Sequence, residues 1–238
     1  MALLVIAHRG ASGTRPENTL TSFRRAVELG APMIELDAQL TADGAVVVLH
    51  DDTLERTTDG LGPLAARTLA EVRRLDAGRW FDPAFAGEPV PTLAEVLAAI
   101  PIRINVELKG IRADDLEARA LAVVEEAGAL DRVVFSSFQP DRLIGLRALT
   151  QRAALAVLWA EPKVGDALRL AERVGARALH VRNDRRAVAA IAAGVGAGLA
   201  VRVWTVNSPA DLASLVDAGA SGIFTDFPER FLHLHPVE

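Results

Sequence analysis

The chain contains no cysteine, which excludes disulfides, thiol nucleophiles and zinc–thiolate centres. Long apolar runs are missing too. None reaches the roughly 18 residues that a bilayer crossing requires, so no membrane span is expected. Met1–Ala7 is too short for a signal-peptide core and has no basic leader, which makes a cytoplasmic location the default expectation. Positive charge is not in surplus. A formal net charge of −5 argues against a nucleic-acid partner, because binding a phosphate backbone needs a basic face. Of 26 Lys and Arg residues only Lys109 and Lys163 are lysine, and there are two methionines. Arginine bias with few oxidisable residues fits heat adaptation, and it fits genome composition equally well. Against that background, the lysine in Glu107-Leu108-Lys109 stands out.

What the chain does have is apolar residue, at 50% of 238 positions, enough for one large domain with a substantial core. Short β-type runs alternate with amphipathic helical stretches. The runs are Leu3–Ala7, Met33–Ala38, Ile102–Leu108, Val133–Ser136, Ala153–Val157, Ala178–Val181, Ala200–Thr205 and Ser221–Thr225. Between them lie helical stretches at Leu20–Leu29, Ala113–Ala127, Asp141–Leu149, Val164–Val174, Arg185–Ala193 and Pro209–Asp217. Ser208-Pro209-Ala210-Asp211 carries helix-start signals, and Gly128, Gly175 and Gly219 fall just past helix ends. Eight such units in one domain spanning 1–238 predict a (β/α)8 TIM barrel, a parallel sheet closed on itself. An open doubly wound sheet is the runner-up; its Gly-rich phosphate turn is matched only loosely by Gly10-Ala11-Ser12-Gly13.

The repeat breaks between Leu40 and Pro91. Ala42-Asp43-Gly44 reads as a turn into Ala45–His50, a hairpin partner for the second strand. Residues 52–90, with scattered Gly and Pro and a short helix near Leu69–Leu75, read as a lid insertion over the barrel mouth. Trp80, Phe81 and Phe85 in it either shape access or anchor the loop, and anchoring is favoured.

Active sites of such barrels lie at the C-terminal ends of the strands. His8 and Arg9 follow the first run, Glu35 and Asp37 end the second, and Glu107 and Lys109 end the third. Trp204 and Asn207 sit near the end of the seventh, Thr225 and Asp226 at the end of the eighth. Residues two apart on a strand share a face, so Glu35 points with Asp37, and Glu107 with Lys109 and Asn105. Paired carboxylates repel unless a cation or proton lies between them. Three of them, Glu35, Asp37 and Glu107, form an all-oxygen cage that suits a hard divalent cation, Mg²⁺ or Ca²⁺. Arg9 and Lys109 supply fixed positive charge for a phosphate, Arg9 through two parallel hydrogen bonds. His8 and His50 suit a general base and a general acid.

Structural readings stand beside these. Glu107 with Lys109 alone is most simply an ion pair, and His8 alone a satisfied core histidine. Asn18 or Thr19 is expected to cap the Leu20–Leu29 helix. Asp226 can merely open a last helix that has Pro228 in its first turn. His180 lacks a neighbouring motif, and a structural role is favoured. An all-structural account of polar groups at three successive strand ends is not.

The chain resembles the glycerophosphodiester phosphodiesterase family. The matching segments are His8-Arg9-Gly10, Pro16-Glu17-Asn18-Thr19, Glu35-Leu36-Asp37, His50-Asp51, Glu107-Leu108-Lys109, Ser136-Ser137-Phe138, Trp204-Thr205-Val206-Asn207 and Thr225-Asp226-Phe227-Pro228. They run in family order over nearly the whole chain. The resemblance implies a TIM barrel that hydrolyses glycerophosphodiesters, small-molecule substrates, to sn-glycerol 3-phosphate and an alcohol such as choline or ethanolamine. It also implies a divalent cation on Glu35, Asp37 and Glu107, and His8 and His50 as the acid–base pair. Arg9 and Lys109 would hold the phosphate, and Trp204 would pack against the glycerol carbons.

Two rival functions remain at this level. A phospholipase-type relative acting on lysolipids would need an apolar channel or a membrane-facing patch. A non-catalytic barrel that senses phosphodiesters should have lost a histidine or a ligand, and here the set is complete.

Overall fold

The computed structural model describes residues 3–110, 115–161 and 163–233. Met1, Ala2 and the expected helical residues Ala113 and Asp114 lie outside the described residues. Nine strands form one sheet: β1 (Leu4–Ala7), β2 (Met33–Leu40), β3 (Val46–Val48), β4 (Arg103–Leu108), β5 (Val133–Ser137), β6 (Ala154–Trp159), β7 (Ala178–Arg182), β8 (Ala200–Trp204) and β9 (Gly222–Thr225). The order is β1-β9-β8-β7-β6-β5-β4-β2-β3, and β1 also pairs with β2. That extra pairing closes eight parallel strands into a (β/α)8 barrel. The ninth, β3, runs antiparallel to β2, with Ala38 opposite Val48 and Leu40 opposite Val46. This is the hairpin that the Asp43-Gly44 turn announces, and Gly44 has φ of 80°.

Helices α1 (Leu20–Glu28), α2 (Leu69–Val72), α3 (Leu93–Ala99), α4 (Leu116–Glu126), α5 (Pro140–Leu149), α6 (Val164–Val174), α7 (Ala187–Gly196) and α8 (Leu212–Asp217) follow in chain order. The main core lies between these helices and the outward faces of the strands, where Ile34 and Leu36 join Phe23, Leu93 and Ile104. Inside the barrel, Ile6, Met33, Val134, Ala156, Ala178 and Phe224 fill the lower layers. Small alanines on β6 and β7 leave room for the larger chains opposite, as close packing requires.

The structure departs from the sequence reading in three places. Helix α3 went unanticipated although Thr92 and Glu95 form a capping box at its start. The stretch Pro209–Asp217 begins with a 3-10 turn, Pro209–Asp211, before α8. After β9 the described residues hold a single 3-10 turn, Pro228–Arg230, rather than a helix.

The segment 52–90 folds around its own small core of Leu54, Leu64, Val72, Ala77 and Val90, with Val47 and Leu49 of the hairpin. Trp80, Phe81 and Phe85 contact one another edge-on, and Arg15 stacks over Phe85. These aromatics lie outside the segment's buried core, and Trp80 is 39% exposed. None of them lines a cavity at the barrel mouth.

Candidate active site

The register of β2 and β4 puts Glu35 beside Asn105 and Asp37 beside Glu107. Because alternate residues share a face, the carboxylates of Glu35, Asp37 and Glu107 converge. One oxygen from each lies within 4.8 Å of the others. Glu35 and Asp37 are buried, at 3% and 1% exposure.

Three acids this close and this dry do not all ionise unaided. Burial, then the Asp37 and Glu107 charges, pushes Glu35 well above the usual carboxylate range. Burial and Asp37 raise Glu107 to about 7 against the pull of Lys109. Asp37 moves the other way. Burial pushes it up, but the charges of Arg9, His50 and Lys109 and a hydrogen bond from Asn18 hold it down. Its Oδ1 is nevertheless buried without a hydrogen-bond partner. A bare buried anionic oxygen is costly, and a hard cation bound to the three acids would satisfy it. The donor set fits Mg²⁺ or Ca²⁺.

Two cations flank the acids. Lys109 Nζ lies 3.1 Å from Glu107 Oε1 and 3.9 Å from Asp37 Oδ1. Arg9 donates from Nη1 to Glu17 Oε1 at 2.8 Å, and its Nε approaches Asp37 Oδ2 at 3.2 Å, misaligned for a hydrogen bond. Part of the guanidinium fork is thus already engaged by acids, which the expectation of two free parallel bonds did not include.

The turn after β1 explains how Arg9 reaches inward. Its φ is 56° and that of Gly10 is 85°. Only glycine fits the second position, because a Cβ there would stand 2.3 Å from Ser22 Oγ on α1. The turn is tied down at both ends: Arg9 N–H donates to Glu35 Oε2 at 2.9 Å, and its carbonyl accepts from Asn18 N–H at 3.1 Å.

The two histidines are each oriented by an aspartate. His8 Nδ1 is 2.7 Å from Asp226 Oδ1, and its Nε2 is 4.0 Å from Glu35 Oε2. Asp226 also accepts from Ser12 Oγ and Asn207 Nδ2. Burial opposes the charge of Asp226, but hydrogen bonds from His8, Asn207 and Ser12 hold the carboxyl at about 2. His50 Nδ1 is 2.6 Å from Asp51 Oδ1. Burial and the nearby Arg9 and Lys109 lower the His50 pKa, against the Asp37 charge and the Asp51 hydrogen bond.

Two adjoining cavities open here. The inner one, about 60 Å³, is lined by both histidines, Arg9, Glu35, Asn105, Glu107 and Lys109, with Phe138, Leu158, Trp204 and Phe224 as its apolar wall. The outer, about 330 Å³, shares His50, Glu107, Lys109 and Phe138 and adds Asp51, Asp52 and Gln139. Phe138 meets Trp204 edge-on, centroids 5.4 Å apart.

All eight residues singled out in the sequence, His8, Arg9, Glu35, Asp37, His50, Glu107, Lys109 and Trp204, therefore line or border one site. Several partners were missed. Thr19, not Asn18, caps α1; Asn18, with φ of 59°, donates instead to Asp37 Oδ2 at 2.8 Å. Asp226 serves His8 rather than starting a helix. Phe138 supplies the aromatic wall. The motif segments containing these residues were their only signal. His180, inside β7 rather than at its end, packs against Phe224 and Arg202, where burial and the Arg202 charge lower its pKa, and it lines neither cavity.

Comparison with known proteins matches residues 8–230 to the model of the glycerophosphoryl diester phosphodiesterase family. A glycerophosphodiester phosphodiesterase of Caldanaerobacter subterraneus subsp. tengcongensis is 37% identical over 239 residues, covering 98% of both chains. One from Bacillus altitudinis is 35% identical over 95% of both. Among solved structures, an Oleispira antarctica phosphodiesterase in complex with the product sn-glycerol-3-phosphate superposes with a TM-score of 0.90. It is 32% identical, over 98% of this chain and 96% of that one.

Proposed function

Since the chain belongs to the glycerophosphoryl diester phosphodiesterase family, we propose that it hydrolyses glycerophosphodiesters to sn-glycerol 3-phosphate and an alcohol. The observation that carries this reading is the convergence of three buried carboxylates beside two aspartate-oriented imidazoles. The product held by the Oleispira structure supports a small-molecule substrate of this class. No helix among the described residues is long and apolar enough to cross a membrane.

Glu35, Asp37 and Glu107 would hold a divalent cation. Bound there, Mg²⁺ or Ca²⁺ supplies Lewis-acid stabilisation of the charge that grows on the phosphoryl group. Arg9 and Lys109 bind the phosphate oxygens from the two flanks. Trp204 packs against the glycerol carbons in the inner cavity, with Phe138 behind it.

His8 acts as general base. The ionised Asp226 accepts its Nδ1–H, which leaves Nε2 free to take a proton from the nucleophile, either water or the substrate's own 2-hydroxyl. His50 acts as general acid, giving a proton to the departing alkoxide. It borders both cavities, a position from which a proton can follow the leaving alcohol outward. The chain works as one domain, with residues 52–90 as a lid beside the outer cavity.

A coupled assay for glycerol 3-phosphate release from glycerophosphocholine tests this, run in EDTA and with Mg²⁺ or Ca²⁺ restored. Release should stop in EDTA and return with either cation. No release under any condition, or preference for lysophosphatidylcholine assayed in parallel, would overturn the reading. Reaction in ¹⁸O-water, with trapping of any cyclic phosphate, separates attack by water from attack by the substrate's own 2-hydroxyl.

A further inference from the structure

An unbroken string of ion pairs joins the histidine after β3 to the arginine after β1. His50 Nδ1 contacts Asp51 Oδ1 at 2.6 Å. Arg56 grips the same aspartate, donating from Nε to Oδ2 at 2.6 Å and from Nη2 to Oδ1 at 2.9 Å. The other edge of the guanidinium donates to Glu17, Nη1 to Oε2 and Nη2 to Oε1, both at 2.8 Å. Glu17 Oε1 in turn accepts from Arg9 Nη1 at 2.8 Å.

Arg56 therefore makes two forked contacts at once. A planar guanidinium fixes each carboxylate in direction as well as distance, which an ammonium cannot do. Both acids stay ionised. The hydrogen bonds from Arg56 hold Asp51 below the usual range, and Glu17 also lies low although burial opposes it. Arg56 itself is 43% exposed and lines neither cavity, so it reaches the site through Asp51 and Glu17 rather than from the cavity wall. A half-exposed pair of surface ions would normally contribute little to stability. Here the same bonds end on the two groups that face the reacting phosphate.

We propose that Arg56 is a positioning residue: through Asp51 it keeps the His50 ring with Nε2 toward the site, and through Glu17 it sets the Arg9 guanidinium. One side chain of the 52–90 insertion thereby fixes both the proton donor and one phosphate ligand, so docking of the insertion and competence of the site are a single event. The inference rests on the roles given above to His50 and Arg9, and its test keeps the two apart.

The test compares R56M, R56K, D51N, E17Q and the double variants R56M/D51N and R56M/E17Q, with saturating cation, for glycerol 3-phosphate release. R56M should lose at least about 10-fold in kcat and gain several-fold in KM, with R56K between it and wild type. D51N should reproduce the kcat loss and E17Q the KM rise. In each double variant the shared parameter, kcat with D51N and KM with E17Q, should be little worse than in the worse single variant, since coupled groups are not additive. Long-range ¹H–¹⁵N spectra should show a single His50 tautomer, Nδ1–H, in wild type and a mixture in R56M. A kcat in R56M within twofold of wild type, losses that multiply in the doubles, or an unchanged tautomer would each overturn the proposal. If wild type releases no product, the activity reading has failed, and the tautomer comparison alone decides whether Arg56 orients His50.

Discussion

His8 and Asp226, 218 positions apart in sequence, meet at 2.7 Å where the first and last barrel strands pair. In the proposed mechanism the carboxylate would select the Nδ1–H tautomer and steady the imidazolium formed on proton transfer. D226N removes the charge and keeps the shape. It should lower kcat at least about 100-fold while the far-ultraviolet circular dichroism stays native. Near-normal turnover would sink the pairing as a functional contact.

The same carboxyl predicts an acid limit. Its pKa falls from 3.8 unfolded to about 2 folded, so its stabilising contribution is present above pH 4 and lost as pH drops through 2. Melting curves from pH 5 to 2 should show wild type losing stability that D226N never had. Parallel curves for the two proteins would contradict this.

Proton and cation should compete at the acid cluster. Glu107, raised to about 7, favours the metal-free fold at low pH, and that contribution is lost as pH rises through about 7. In EDTA the melting temperature should therefore fall between pH 5 and 8, and Mg²⁺ or Ca²⁺ should restore most of it at pH 8. E107Q should flatten the pH dependence and weaken the cation effect. A cation shift equal at both pH values would be the wrong outcome.

Asn18 feeds a hydrogen bond to a buried carboxylate from a left-handed backbone position. N18A loses the bond and keeps the strain, whereas N18G loses the bond alone. Chemical denaturation should place N18A about 1–3 kcal/mol below wild type, and N18G between them. The reverse order would show that the left-handed backbone, which alone distinguishes the two variants, carries no cost there.

Each imidazole should be needed. H8A and H50A should each lose about 100-fold or more in turnover while remaining folded, as far-ultraviolet circular dichroism checks. R9K keeps the charge but not the fork that reaches Glu17 and Asp37, and its kcat/KM should fall about 10-fold or more. Full activity in R9K would remove the geometric argument for arginine.

Periodicity alone made the barrel legible. A two-residue repeat in β2 and β4 tells which side chains face inward, and the rim rule then assembles Glu35, Asp37, Glu107 and Lys109 without any coordinates. That reasoning works because strand geometry is local: once a run is a strand, alternation follows from the backbone. Helix α3 was equally local, and its Thr92–Glu95 capping box could have announced it.

The partners of those residues were a different matter. Whether Asp226 opens a helix or orients His8, and whether Arg56 is a surface charge or the clamp between Asp51 and Glu17, depends on closing β1 onto β9 and folding 52–90 against the mouth. The His8–Asp226 and Arg56–Glu17 contacts join residues 218 and 39 positions apart, and no local spacing encodes them. Sequence by itself thus determined which side chains converge at the barrel mouth. Only the tertiary structure decided what holds them there, because hydrogen-bond direction and burial exist only once distant segments are packed.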